Sequence, residues 1–487
     1  MNYLSFSFAF FVLILLLLYY ILPKKARPYI LLGGSLVFYG CFALAYLPFL
    51  LFAALTSFFA AKVVNTLRHK KLLVFGCIAI NFIVWFCVKD LQWMFYLGKT
   101  VLSMVGISYE VPILNILVPV GISYYTLQAF GYLFDVYRNK ILPERNFFKY
   151  LLFLSFFPAI VQGPISRYDQ LMPQLLNREG FHFDKARDSL FLVLIGVVKK
   201  MVIADRLGIF VDACLAQYAD LQGVILYLGA VGYAFQLYFD FSGCVDICRG
   251  VSGLFGIDLV ANFNRPYLAR SVNDFWGRWH ISLSSWLKDY VYIPLGGNRK
   301  GTGRKYLNLL ITFLVSGFWH GAGMQFILWG ILHALYQIIG QATRNLRRKA
   351  KSLLAVREGS FSEKLFQTLI TFHLITLAWI FFRSGSIADA FQYIDNMFIM
   401  PKWNVLFDGG LYKLGVDAAH FRLLLIHIVA ILAIEKRTAS QAAALQGLTR
   451  QHVVIRWVTY WVLLFDVILF GVYGSGYSLS GFMYGGF

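Results

Sequence analysis

The chain has 487 residues, of which 59% are hydrophobic, 18% aromatic and only 14% charged, and its mean hydropathy is +0.65. Soluble proteins carry charge on about a quarter of their residues, so this composition excludes a soluble globular protein and predicts a polytopic membrane protein. The net charge of +20 lies in short segments between apolar runs, a placement that argues against nucleic acid as a partner.

Twelve apolar runs are long enough, or nearly so, to cross a bilayer as helices. The first run precedes its basic residues, Lys24, Lys25 and Arg27, so we expect a retained span with an outside N-terminus and not a cleaved signal peptide. The predicted fold is all-α: a transmembrane bundle of about 11 to 12 spans, plus re-entrant and interfacial helices, in one domain covering 1–487. The candidate spans are 4–22, 29–46, 48–64, 72–88, 113–137, 189–204, 223–242, 307–320, 323–342, 366–382, 421–434 and 456–473.

Basic residues concentrate in certain linkers, and the positive-inside rule predicts that these linkers are cytoplasmic. The basic linkers are 23–28, 62–71, 138–149, 265–305, 343–364 and 435–456. Linkers 89–112, 205–222 and 383–420 are neutral or acidic and are predicted to lie outside. We therefore expect a multi-pass protein of the cytoplasmic (inner) membrane that contacts anionic lipid on its inner side.

Two segments do not fit a simple series of spans. Residues 149–162 are apolar but short and end at Gly163 and Pro164, which predicts a re-entrant segment. Lys199 and Lys200 fall at the outward end of a span. Either that helix is also re-entrant, or the pair snorkels to the interface or lines a cavity.

Residues 272–291 are predicted to form one amphipathic helix at the cytoplasmic interface. On a helical wheel, its apolar residues fall in one arc and its polar residues on the opposite side. His280 lies at the edge of the apolar arc and should face protein rather than water. The apolar arc consists of Phe275, Trp276, Trp279, Leu283, Trp286, Leu287 and Tyr290.

The segment 307–320 is predicted to turn back before it has crossed the membrane. At 1.5 Å per residue, such a short helix reaches about 21 Å, less than a hydrocarbon core of about 30 Å. Gly317 and Gly321 bracket the turn, which predicts that His320 lies within the membrane thickness at the floor of a cavity opening outward. An ionisable group at that depth is a functional candidate, and histidine suits proton transfer near neutral pH.

Other polar residues leave alternatives open. His280 could act in a site or hold a loop by hydrogen bonds, and His333 and His373 are expected to be packing residues. Asp240 and Ser242 could line a pocket, or the carboxylate could cap a helix or pair with an arginine. The sequence contains no set of residues at metal-ligand spacing, no phosphate-binding loop and no Gly-x-Ser-x-Gly motif, so no metal or bound cofactor is expected.

A series of motifs extends through most of the chain. They are Pro119-Val-Gly-Ile-Ser-Tyr-Tyr-Thr-Leu-Gln128, Asp135-Val-Tyr-Arg138, Phe157-Pro158, Gly163-Pro-Ile165, Tyr238-Phe-Asp-Phe-Ser-Gly243, Asn262-Phe-Asn-Arg-Pro-Tyr267, Phe275-Trp-x-Arg-Trp-His280-Ile-Ser-Leu-Ser-x-Trp286, Asp289-Tyr290, Ile293-Pro-Leu-Gly-Gly-Asn-Arg299 and Trp319-His-Gly321. With these motifs the chain resembles the membrane-bound O-acyltransferase (MBOAT) superfamily, and within it the alginate O-acetylation (AlgI) branch and its polysaccharide-acetylating relatives.

The resemblance implies a ring of transmembrane helices around a thin central floor. His320 corresponds to the family's invariant histidine and His280 to its second, more cytoplasmic one, so both are candidate catalytic residues. It also implies transfer of an acyl group, with acetyl favoured, from a cytoplasmic thioester donor (acetyl-CoA or an acyl carrier) to an extracytoplasmic polysaccharide. A partner of the SGNH-type acetyltransferase class is expected outside. The candidate substrate-binding residues are Trp276, Arg278, Trp279, Trp319, Asp240, Ser242 and Asn264.

Three other classes of function remain as alternatives. D-alanyl transfer to teichoic acid from a carrier protein, as in the related DltB-like proteins, is the same chemistry with a different acyl group. A transporter or flippase would be expected to show paired broken helices in two repeated halves, and the sequence has no such repeat. A structural membrane scaffold would not account for the two Trp-His pairs.

Overall fold

The computed structural model describes residues 1–112, 117–177, 180–399, 402–438 and 441–473, which form helices, turns and loops without a β-strand. The helices up to residue 254 are α1 (Phe6–Ile21), α2 (Arg27–Gly40), α3 (Leu47–Val63), α4 (Lys70–Met104), α5 (Ile122–Tyr137), α6 (Phe147–Ser155), α7 (Tyr168–Leu175), α8 (Phe183–Val197), α9 (Asp205–Ala216) and α10 (Val224–Leu254). The later helices are α11 (Val272–Trp276), α12 (Ile281–Leu287), α13 (Gly301–His320), α14 (Met324–Ala342), α15 (Arg344–Leu353), α16 (Phe361–Arg383), α17 (Ile387–Ile399), α18 (Ala418–Arg437), α19 (Gln441–Thr449) and α20 (Val453–Phe470). Two π-helical turns, Val198–Ala204 and Lys288–Tyr292, continue α8 and α12.

Among the residues that the structure describes, six helical stretches are long and apolar enough to cross a membrane, which confirms the predicted all-α transmembrane class. The pair α14 and α15, bent by 55° at its break, would add a seventh. The larger number of 11 to 12 crossings stays a prediction. The six stretches are Leu44–Val63, Lys70–Met104, Val224–Leu254, Phe361–Arg383, Ala418–Arg437 and Val453–Phe470.

The linker 89–112, which is predicted to lie outside, is helical for most of its length, because α4 continues to Met104 and has 35 residues. Its location outside stays a prediction. The charged residues Lys89 and Asp90 lie inside this helix, and Asp90 is buried. No proline follows them before the end of α4, so the backbone has no reason to stop there. The predicted span 113–137 begins in residues outside those described, and its described helix is α5.

The chain folds as two compact units. The first comprises Met1–Val193 and Cys244–Val260 among the described residues. Part of its core is a cluster of aromatic rings from Tyr3, Phe8, Phe38 and Phe157, whose centroids lie 5.1 to 6.3 Å apart. The predicted re-entrant segment 149–162 also lies in this unit, as the end of α6 followed by buried turns; re-entry into a membrane stays a prediction.

The second unit comprises Leu194–Gly243 and the described residues from Ala261 onward. Helix α13 packs along α14, α14 packs on α16, and the short helix α11 contacts both α14 and α16. All of the predicted catalytic and substrate-binding residues belong to this unit. The single membrane domain proposed for the whole chain stays a prediction.

Candidate active site

A tight turn between two helices positions His320. It is the last residue of α13, and α14 begins only four residues later, so the predicted break at His320 is confirmed. A Cβ on Gly317 would lie 2.3 Å from the carbonyl oxygen of Phe326, and one on Gly321 would lie 2.6 Å from the Phe326 ring. Only glycine allows the two helices to approach this closely at the turn.

The helix that ends at His320 is longer than predicted, so its length does not place His320 within the membrane thickness. Helix α13 begins at Gly301 and has 20 residues rather than 14, because Arg304 and Lys305 lie in its first turns and not in a loop. At 1.5 Å per residue the helix is about 30 Å long, comparable to a hydrocarbon core. The position of His320 within the membrane thickness therefore stays a prediction from its motif and from the helix break.

Three aromatic rings enclose the imidazole of His320, and this residue is only 3% exposed. The ring centroids of Trp319, Trp329 and Phe382 lie 4.9, 5.2 and 5.1 Å from that of His320, each at a steep angle between ring planes. Edge-to-face contacts of this kind contribute about 0.5–1.5 kcal/mol each beyond the burial of area. Together these rings fix the orientation of the imidazole.

His280 lies between α11 and α12 in a left-handed backbone conformation, with φ of 44°. This conformation is uncommon for a residue with a side chain. Asn262 holds the turn in place, because its backbone carbonyl accepts from the N–H of Ile281 and its side-chain oxygen accepts from the N–H of Ser282. The imidazole packs on Phe241 at 4.8 Å and is 1% exposed.

Trp319 joins the two histidines. Its ring lies 4.9 Å from that of His320 and 6.1 Å from that of His280. The two Trp-His pairs, 40 positions apart in the sequence, thus meet in one buried cluster. Because Trp319 contacts both imidazoles, the cluster brings two potential bases to one aromatic ring, and such a group of residues could carry a proton-transfer reaction.

The prediction of one continuous helix over 272–291 is wrong. Helix α11 ends at Trp276, residues 277–280 form a turn, and α12 starts after the left-handed His280. The predicted buried side is nevertheless confirmed, apart from a half-buried Trp276. The buried residues of that side are Phe275, Trp279, Leu283, Trp286, Leu287 and Tyr290.

Burial lowers the pKa of His280 to about 3. Below its ordinary pKa of about 6.5 the unfolded chain takes up a proton that folded His280 does not, so acidification destabilises the fold. Between pH 7.5 and 5.5 this amounts to about 1 kcal/mol. We expect His280→Asn, which tolerates the left-handed backbone, to show a smaller fall in melting temperature over this interval than the wild type. Equal falls would contradict this explanation.

The other predicted substrate-binding residues near His280 already have partners. The guanidinium of Arg278 donates to Asp274 at 2.7 Å, and the side-chain oxygen of Asn264 accepts from Arg265 at 3.2 Å. The indole N–H of Trp276 donates to Nδ1 of His333 at 3.2 Å. Trp279 is fully buried, packing on the rings of Phe263, Tyr267, Phe275 and Trp379. Their roles toward a substrate stay predictions.

Asp240 belongs to a buried charge cluster. The ammonium of Lys200 lies 2.6 Å from Oδ1 of Asp240 and 2.7 Å from Oδ1 of Asp205, and these side chains are 1%, 2% and 13% exposed. The π-helical turn Val198–Ala204 carries Lys200 into this position. Burial of the ammonium excludes snorkelling of Lys200. Ser242, two residues further along α10, is also buried, and substrate contact by either residue stays a prediction.

Sequence reasoning did not single out Trp329, Trp379 or Phe382, and it predicted only a packing role for His333. Trp329 and His333 are four positions apart on α14, and Trp379 and Phe382 are three apart on α16, so each pair shares a helix face. That spacing was the available signal, but it does not tell which neighbouring helix the face meets. No group of three or more His, Cys, Asp or Glu among the described residues could hold a metal ion.

Residues 138–382, about half of the chain, match the family model described as MBOAT, membrane-bound O-acyltransferase family. The match includes α10, both Trp-His pairs and the helices that enclose His320. The chain therefore belongs to the membrane-bound O-acyltransferase family and is a multi-pass membrane O-acyltransferase, as the sequence motifs predict.

Three relatives show the range of named activities. The chain is 36% identical to the peptidoglycan O-acetyltransferase of Helicobacter pylori, over 75% of this chain and 72% of that protein. It is 34% identical to the probable alginate O-acetylase AlgI of Pseudomonas aeruginosa, over 80% and 73%. It is 31% identical to a teichoic acid D-alanyltransferase of Streptococcus thermophilus, over 62% and 78%. Membership of the family thus establishes acyl transfer as the reaction. The names of the three relatives differ in the acyl group that is transferred and in the acceptor.

Proposed function

We propose that this protein transfers an acetyl group from a cytoplasmic thioester donor across the inner membrane for O-acetylation of an extracytoplasmic cell-surface polysaccharide. The single observation that carries the proposal is the enclosure of His320 at a helix break, next to Trp319 and His280, in a chain of this family. The donor is acetyl-CoA or an acetylated carrier, with no bound cofactor. An SGNH-type acetyltransferase outside is the expected partner.

In this proposal His320 is the general base. An unprotonated ring nitrogen of the neutral His320 imidazole accepts the proton of an acceptor hydroxyl while the hydroxyl oxygen attacks the thioester carbonyl carbon. The tetrahedral adduct collapses, the carbon–sulfur bond breaks, and the proton passes from the imidazolium to the departing sulfur. The products are an acetyl ester and a free thiol, and His320 returns to its starting state. The enclosing rings hold the imidazole in one orientation, which limits the rotational freedom lost in reaching the transition state.

His280 and the donor-side residues have supporting roles in this mechanism. The ring of Trp319 contacts the imidazoles of both His280 and His320. We assign His280, with Arg278 and Trp276, to the path of the thioester donor. Trp279 supports this segment through buried ring contacts with Phe275 and Trp379.

The test is mass spectrometry of surface polysaccharide from cells with and without this protein. Base-labile acetyl esters that disappear with the protein and return with its expression support the proposal. D-alanyl esters that behave in this way would favour the D-alanyl transfer shown in the name of the Streptococcus relative. Unchanged ester content of every surface polymer would contradict both.

A further inference from the structure

We propose that His333 is a positioning residue that links Trp276, on the donor-side helix α11, to the orientation of His320. The inference rests on the proposed role of His320 as the base. It concerns a histidine whose sequence context, in a plain apolar helix, suggested packing alone.

The first link is a hydrogen bond between side chains on different helices. The indole N–H of Trp276 donates to Nδ1 of His333 at 3.2 Å, and the two ring centroids lie 5.0 Å apart. An indole can only donate, so Nδ1 of His333 must be the acceptor, and the neutral ring carries its proton on Nε2. His333 is fully buried, so loss of this bond would leave a buried acceptor unpaired.

The second link is a direct ring contact on α14. The ring of His333 lies 4.8 Å from that of Trp329, which lies 5.2 Å from that of His320. Trp329 also stacks on Trp379 at 5.7 Å, Trp379 lies 6.1 Å from His333, and both indoles are fully buried. Because a packed interior has no spare volume, a shift of the His333 ring must move Trp329 and with it a wall of the His320 enclosure.

The third element is the location of Trp276. It is half-buried, it ends α11, and only three residues separate it from His280. A donor that contacts this segment would change the position of Trp276, and with it the Trp276–His333 hydrogen bond, before it reaches His320. The chain Trp276–His333–Trp329 therefore offers a route by which donor binding sets the orientation of the base. If His333 only filled space, it would need neither the hydrogen bond from Trp276 nor a proton fixed on Nε2.

Variants of His333 separate these two roles. The side-chain oxygen of His333→Asn lies near the position of Nδ1 and can accept from Trp276, whereas His333→Leu fills the space without an acceptor. Trp276→Phe removes the donor from the other side. His373→Leu is the control, because His373 lies on α16 and bonds to Leu369 of its own helix and to Tyr227, away from His320.

The assay is transfer of radiolabelled acetyl from acetyl-CoA to base-labile ester in membranes that contain the full chain, with kcat and donor KM determined and the melting temperature measured alongside. We expect His333→Leu to lower kcat at least about tenfold with little change in donor KM, since misplacement of a reacting group affects the chemical step. His333→Asn should recover most of that loss. Trp276→Phe keeps a ring beside Trp329, which Trp276 also contacts at 5.7 Å, and removes the hydrogen-bond donor, so it should lower kcat as His333→Leu does. The double variant should be no slower than the slower single variant, because both substitutions break the same hydrogen bond.

Three results would overturn the inference: a wild-type kcat for His333→Leu, an Asn variant as slow as the Leu variant, or single losses that multiply in the double variant. If His333→Leu does not fold, Trp276→Phe and His333→Asn still decide between the roles. His320→Gln in the same assay distinguishes failure of the proposed base role of His320 from failure of the proposed His333 link. An active Gln variant defeats the base role itself, whereas an inactive one with a normal His333→Leu defeats only the link.

Discussion

His320→Gln is expected to abolish acyl transfer while the protein remains folded in the membrane. Glutamine fills much of the space between Trp319, Trp329 and Phe382 and keeps hydrogen-bonding capacity, but it cannot accept a proton at neutral pH. General-base help contributes about 10²–10⁴-fold to rate, so a loss of at least about a hundredfold is expected. His320→Ala should be equally inactive, because a base is missing in both.

The measurement is the acetyl content of surface polymer in cells that express each variant at matched levels. His373→Gln is the control, since this half-buried histidine of α16 lies outside the ring enclosure and should acetylate at the wild-type rate. Near wild-type acetylation by His320→Gln would show that the residue is a hydrogen-bonding support and would refute the base mechanism.

Lys200→Met is expected to give the largest loss of stability. The substitution keeps the volume of the side chain but leaves the carboxylates of Asp205 and Asp240 buried without the ammonium that contacts both. Removing one partner of a buried ion pair typically costs about 3–5 kcal/mol. Since whole domains are stable by only about 5–15 kcal/mol, we expect a large fall in melting temperature and in the amount of protein recovered from membranes.

Lys185→Met is the matched control for this loss. Lys185 pairs with Asp258 at 2.8 Å, but that carboxylate is 74% exposed, so the pair should contribute less than about 1 kcal/mol. The comparison is made by thermal unfolding in the same detergent. Equal melting temperatures for the two variants would mean that the Lys200 cluster is not a stabilising element of the second unit.

The helix break at His320 could be predicted from the sequence because the glycines that permit it are close to it in the chain. Glycines at 317 and 321 permit a close helix turn whatever the distant packing, and the turn is found where they predict it. The start of α13 was missed because Arg304 and Lys305 mark a basic segment equally well in a loop or in the first turns of a helix.

The segment 272–291 shows where such reasoning stops. Its apolar arc correctly predicts the buried side, but a wheel assumes an unbroken helix. The break at His280 is stabilised by Asn262, which precedes Ser282 by 20 residues and lies outside the segment, and which accepts hydrogen bonds from the first two N–H groups of α12. Likewise, nothing local to Lys200 predicts that Asp240 will meet it, since the two lie on different helices. Pairings of this kind depend on the tertiary fold.

The central claim, transfer from a cytoplasmic thioester across the membrane through His320, is tested most directly in sealed inside-out membrane vesicles. These are given radiolabelled acetyl-CoA together with cytosolic extract, and base-labile label enclosed in the lumen is measured after external label is removed. We predict that wild-type vesicles accumulate enclosed acetyl ester and that His320→Gln vesicles do not. Equal accumulation in both, or none in wild-type vesicles that retain acceptor, would contradict it.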